Sequence, residues 1–255
     1  MKYGRKYVKN YIGSLYQPYK NYNIMNIYME KHLLHPNHPK FEPEKWNKKY
    51  IQYSHNCYTY AMNTISKKNV KTCKRFSKMN KKGKTRKIRK IKKKTRKIFD
   101  TWDWMNPIKT YKKKDICPYI RPQIGVYSKS YKSSLKDISK KKIEKLLLKD
   151  NPSIKKVKRG EKISYGYYKI FLYLWKNEKK GIGDLHFLRQ DNTGEWSHKD
   201  AILPVKKLKE KTPEDHIKNI KRRNRKKKSS SKIYVCGYYA VPIKGKKNLG
   251  SLYFL

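Results

Sequence analysis

Three stretches of mixed aromatic and aliphatic residues, punctuated by turn residues, constrain this chain more than anything else in it. Tyr167 to Trp175, Leu185 to Arg189 and Trp196 to Lys199 have strand composition. Between the last two lies Asp191-Asn192-Thr193-Gly194, a hairpin-turn signal. Strands joined by so short a turn run antiparallel, and Ile233 to Ile243 offers one more. The first half reads differently. Leu135, Ile138, Ile143, Leu146 and Leu147 recur at approximately helical spacing up to Lys149, with Ser134 and Asp137 as a capping box and Asn151-Pro152 as a stop. Helix first and sheet later is the order of an α+β fold.

Charge limits how much of the chain can join one core. The 255 residues hold 68 Lys+Arg against 18 Asp+Glu, a formal charge of +50, and 34% are charged. With a mean hydropathy of −1.06, too little apolar sequence remains for two good cores. Residues 1–40 therefore read as an N-terminal arm, and residues 41–255 as a single domain with basic insertions at 67–97 and 206–232. The first insertion is nearly all Lys and Arg with isolated Ile, so self-repulsion predicts a solvated segment. The second contains Thr212-Pro213-Glu214-Asp215, which allows a helix from about Pro213. Phe99 to Trp104 reads as packed, and Cys117 to Gly125 as a turn-rich approach.

Such a charge attracts polyanions at modest ionic strength, so nucleic acid or another polyanion is an expected non-specific partner. The same excess of Lys, with many Ile, Asn and Tyr, is also what an AT-rich coding sequence imposes without any selected ligand. No run of about eighteen apolar residues predicts a transmembrane helix, and the Met1-Lys2-Tyr3-Gly4-Arg5 start lacks the apolar stretch of a signal peptide. The expected location is inside the cell.

Cys57, Cys73, Cys117 and Cys236 show no CxxC or Cys/His zinc spacing, so reduced thiols are expected. His32, His35 and His38 fall in a Pro-rich loop without a partner cluster. The sequence asks for no metal and no cofactor.

One cysteine stands apart. Asn56-Cys57-Tyr58-Thr59-Tyr60-Ala61 places Cys57 at the start of a short buried helix, where a helix terminus lowers a thiol pKa and free N–H groups face a developing oxyanion. The competing reading is a buried small hydrophobe. His186 and His198 stand on opposing arms of the hairpin. One imidazole can take the thiol proton while the other orients it, or both can be ordinary strand residues. The two roles can also be exchanged, and His55 is a minor further candidate for the base.

A cysteine at a helix start, then Gly183-Asp184-Leu185-His186, then His198 after eleven intervening residues resembles the NlpC/P60 group of papain-like cysteine peptidases, with the CHAP amidases as relatives. The resemblance covers roughly residues 41–65 and 167–199. It implies a papain-like core, an N-terminal helix carrying the cysteine packed on an antiparallel sheet. It also implies Cys57 as nucleophile, His186 as general base and His198 as orienting residue. Tyr58 stands where the family has a small residue, Asn56 where it commonly has Asp, and Phe187-Leu188-Arg189 where it is small and aliphatic; a site that has lost activity stays open. Asn-Cys-Tyr-x-Tyr-Ala with Arg-Gln-Asp-x-x-Gly-x-Trp-Ser-His-Lys is similar to a subgroup from viruses and bacteria. The composition is similar to proteins of large DNA viruses of eukaryotes, which implies the host cytoplasm, nucleus or virion as the setting and a peptide or isopeptide bond as substrate. Three functions follow as expectations: a thiol hydrolase, a non-enzymatic polyanion-binding protein, and a hydrolase localised by its basic insertions.

Overall fold

The computed structural model of the protein describes residues 38–81, 117–130, 139–177 and 182–251. Its centre is a six-stranded antiparallel sheet of β1 (Lys155–Val157), β2 (Tyr167–Asn177), β3 (Ile182–Gln190), β4 (Trp196–Lys199), β5 (Val205–Lys207) and β6 (Ser231–Pro242), in the order β1-β6-β2-β3-β4-β5. The helices are α1 (Pro43–Trp46), α2 (Lys49–Ser54), α3 (Cys57–Ala61), α4 (Lys67–Lys81), α5 (Lys140–Asp150) and α6 (Pro213–Lys226). The protein is α+β, as the order of its segments predicts.

β2 is central because it is apolar on both faces. Ile170, Leu172 and Leu174 meet Tyr58, Ala61 and Met62 from the α3 region and Ile143 and Leu147 from α5, and this is the front face. Phe171 and Tyr173 turn to the back face, where Leu188, Trp196 and Tyr238 pack with Ile217 of α6. β3 alternates in the same way: Leu185 and Phe187 go forward, Leu188 backward. Tyr173 pairs with His186 and Leu188 with His198, and paired residues share a face. Both histidines therefore point to the back.

The two edge strands are three residues long and Lys-rich, a composition that discourages further pairing. It also hides them from a search for apolar alternation. Ser139 caps α5 by accepting from the Lys142 N–H. The cap expected at Ser134, together with Leu135 and Ile138, lies outside the described residues, as do Phe99 to Trp104 and residues 1–37.

Two expectations change. The start of the first basic insertion is helix α4 rather than a solvated run, because Asn69, Thr72, Cys73 and Phe76 fall at helical spacing on one buried stripe. The Asn69 side chain donates to the Ile120 carbonyl at 2.7 Å. Cys73 and Cys117 are likewise not reduced thiols but a disulfide, with Cα atoms 5.0 Å apart and a separation of 44 positions in sequence. A pair so far apart carries no local spacing signal. Cys57 and Cys236 are free. Among the described residues no helix is long and apolar enough to cross a membrane.

Candidate active site

Asn56 decides where α3 begins. Its extended backbone stands outside the helix, its side chain accepts from the Thr59 N–H at 3.2 Å, and the Thr59 hydroxyl accepts from the Asn56 N–H at 2.9 Å. The Asn56 amide also donates to the Pro122 carbonyl at 2.8 Å. Cys57 is thus the first residue of α3, as the sequence predicts. Tyr58 has a structural use: its ring lies 5.4 Å from that of Phe187, and its hydroxyl accepts from the Asn151 amide at 2.9 Å.

The Cys57 thiol donates to the Leu185 carbonyl at 3.4 Å. β4 pairs only with Leu188, Arg189 and Gln190 of β3, so Leu185 lies beyond that pairing. Leu185 immediately precedes His186, and bond lengths alone keep the sulfur within about 7.5 Å of the His186 Cα. Sulfur and imidazole nevertheless belong to different faces of the strand, and no hydrogen bond joins Cys57 to His186 or His198 among the described residues. Burial, then the Asp184 carboxylate, pushes the Cys57 thiol up to about 12. This is opposite to the effect expected of a helix start, because a five-residue helix contributes too little against both.

His186 and His198 do meet. His186 Nε2 lies 2.8 Å from His198 Nδ1, with the rings edge to face. Asp200, absent from the sequence-derived set, completes the group: its Oδ1 is 3.3 Å from His186 Nε2 and 3.4 Å from His198 Nδ1, while Oδ2 pairs with Lys206 Nζ at 3.1 Å. A period-two count from His198 would have found it on the same face. Burial drives the His186 imidazole down to about 3, against the pull of Asp200. Burial works to raise Asp200, yet the His198 hydrogen bond and the electrostatic pull of the two neighbouring imidazoles hold it well below the usual carboxylate range. His186 Nδ1 has no hydrogen-bond partner among the described residues.

A buried network fixes α3 against the hairpin. Arg189 donates to Asp191 Oδ1 at 2.8 Å, to the Tyr60 hydroxyl at 2.9 Å, to Asn63 Oδ1 at 3.0 Å and to the Lys40 carbonyl at 2.8 Å. Its guanidinium carbon also stands 4.0 Å from the Tyr60 ring centroid. Tyr60 and Ser197 hydroxyls lie 2.7 Å apart. Lys199, wholly buried, donates to the carbonyls of Gln52, Ala201 and Leu203 at 2.8, 2.7 and 3.0 Å. Burial, with repulsion from Arg121, pulls its ammonium down to about 7.

His55 is structural. Its Nε2 accepts from the Ser66 N–H at 2.8 Å and its Nδ1 lies 3.0 Å from the Ile51 carbonyl, so both nitrogens are engaged away from Cys57. His38 is buried, whereas His32 and His35 lie outside the described residues. No protein-family model, curated protein or solved structure matches the chain.

Proposed function

We propose that this protein is a thiol hydrolase with a papain-like core of the NlpC/P60 type, acting on a peptide or isopeptide bond. The observation that carries the reading is the Cys57 thiol on the carbonyl of Leu185, one peptide bond from an imidazole whose Nε2 is held by His198 and whose Nδ1 is open. The reaction requires the Cys57 side chain to rotate away from Leu185 and the thiol to come within hydrogen-bond reach of His186 Nδ1 past the strand edge. The imidazole takes the proton, sulfur adds to the amide carbonyl, and the amine leaves with that proton as a thioester forms. His186 then takes a proton from the water that adds to the thioester carbonyl and returns it to the Cys57 sulfur as the C–S bond breaks, which releases the acid and restores the thiol. Asp200 and His198 orient the ring and stabilise its imidazolium. The resting pair is neutral, because the thiol pKa lies far above that of the imidazole.

The test is a thiol-directed activity probe combined with fluorogenic peptide and isopeptide substrates. Wild type labels and turns over; Cys57→Ala loses both, and His186→Ala loses turnover by orders of magnitude. Equal labelling of wild type and Cys57→Ala, or turnover that survives His186→Ala, removes the reading.

A second reading rests on α6, whose Lys218, Lys221, Arg222, Arg223, Arg225 and Lys226 are exposed. This cationic surface favours non-specific nucleic acid or another polyanion, with a steep loss of affinity as salt rises and no dependence on Cys57. Negligible affinity for DNA, RNA and anionic lipid at physiological salt removes it. The expected location inside the cell has to accommodate the Cys73–Cys117 disulfide, a bond that persists in oxidising surroundings.

A further inference from the structure

We infer that His186, His198 and Asp200 form a binding site for a divalent transition-metal ion of the zinc class. One ligand atom from each converges on a single point: His186 Nε2, His198 Nδ1 and Asp200 Oδ1 lie 2.8, 3.3 and 3.4 Å from one another. The circle through these atoms has a radius of about 1.8 Å, so an ion at the usual zinc distance of ~2.0–2.1 Å from each sits about 0.9 Å off their plane. That is a three-ligand cap with its fourth position open, the arrangement of a site that keeps water or an added ligand.

The donor chemistry agrees with the geometry. Two imidazoles and one carboxylate suit zinc better than calcium or magnesium, which favour sets made of oxygen alone. A proton between His186 and His198 satisfies only one edge of the triangle, whereas a cation satisfies all three corners. Lys206 occupies Asp200 Oδ2 and leaves Oδ1 for the ion. Outside the triangle, His216 stands edge-on to His198 with ring centroids 5.8 Å apart and is itself engaged by Glu210 at 3.2 Å. This ring contact packs His216 against the His198 imidazole. Asp200 is half-buried and gives the site its opening to solvent.

Binding needs no net loss of a proton from neutral imidazoles. The proton of the His186–His198 hydrogen bond moves to the other nitrogen of the ring that carries it, and both facing lone pairs go to the metal. A neutral His186 bound through Nε2 then carries its proton on Nδ1. This has a consequence that rests on the hydrolase reading: Nδ1 becomes a donor, cannot accept the Cys57 proton, and the ion switches the hydrolase off. The binding itself does not depend on that reading.

The experiment titrates Zn2+ into the full-length protein against a chromophoric chelator. One tight equivalent is expected. His198→Ala and Asp200→Asn each weaken it at least tenfold, while Cys57→Ala and a His32→Ala/His35→Ala double variant leave it unchanged. Thermal unfolding supplies a measurement that needs no variant, since an ion bound only by the folded protein raises the midpoint of wild type. Equal affinity in wild type, His198→Ala and Asp200→Asn overturns the inference, as does loss of the equivalent in the His32→Ala/His35→Ala protein or an unmoved midpoint at saturating Zn2+. Wild type that binds one zinc ion, yet shows no peptide or isopeptide turnover once the ion is chelated, supports the site while removing the hydrolase.

Discussion

Cys57 reaches the edge of β3 at Leu185, one position before His186, with its thiol 3.4 Å from the Leu185 carbonyl oxygen. The sulfur comes from the front face of the sheet and the imidazole leaves toward the back, so the strand edge is where their chemistry has to be joined.

Alkylation of Cys57 by iodoacetamide should accelerate about tenfold per pH unit between pH 7 and 11, because the thiolate is the nucleophile and burial lifts the thiol to about 12. Peptide mapping by mass spectrometry separates Cys57 from Cys236. A plateau below pH 8 would mean a resting thiolate–imidazolium pair and contradict the neutral one.

Replacing Arg189 by Leu should destabilise the protein by about 3–5 kcal/mol, since Asp191 is then buried without its partner. The Arg189→Leu/Asp191→Leu protein should recover part of that loss. Urea unfolding of wild type, Arg189→Leu, Asp191→Leu and the double variant gives the comparison, and additive losses would show that the pair is not coupled.

Acid should weaken the fold through His55. Burial first, then the Lys199 and Arg121 charges, holds its folded pKa at about 4, below the usual 6.5, although the Ile51 carbonyl opposes them. The unfolded chain binds more protons between these values, so stability is complete above about pH 6.5 and falls as pH drops toward 4, by about 3 kcal/mol. Denaturant unfolding at several pH values measures the slope. A His55→Gln protein should lack this component, and an unchanged slope would assign the loss elsewhere.

Reduction of Cys73–Cys117 should cost about 4 kcal/mol on the chain-entropy account of a loop of this length. The check is thermal unfolding with and without a phosphine reductant, with thiol titration rising from two groups to four. Identical midpoints would show that the link adds nothing.

The hairpin, β2, β6 and the end of α5 were legible because periodicity and turn chemistry are local. Thr212 and Pro213 announced α6 for the same reason, and the Thr212 side chain does accept from the Asp215 N–H. Cys57 at a helix start followed from Asn56 and Thr59. Asp200 was missed because its use depends on where His186 stands across the sheet. Cys73–Cys117 was missed because α4 and the Cys117–Ile120 turn are brought together only by tertiary packing. α4 itself was obscured by charge: its lysines advertise solvent, while the buried stripe is made of Asn69, Thr72, Cys73 and Phe76, only two of which look apolar.

The last strand of the sheet lies between β1 and β2. While Ser231–Pro242 is still being synthesised, β2 is an open sheet edge, with Ile170, Phe171 and Leu172 lacking their β6 neighbours, and β1 lacks the strand it pairs with. Sheet closure then waits on a distant partner, which slows folding and prolongs exposure of sticky surface. During that interval the cationic character of the chain serves a use separate from any ligand, because like-charged nascent molecules repel one another before they can aggregate.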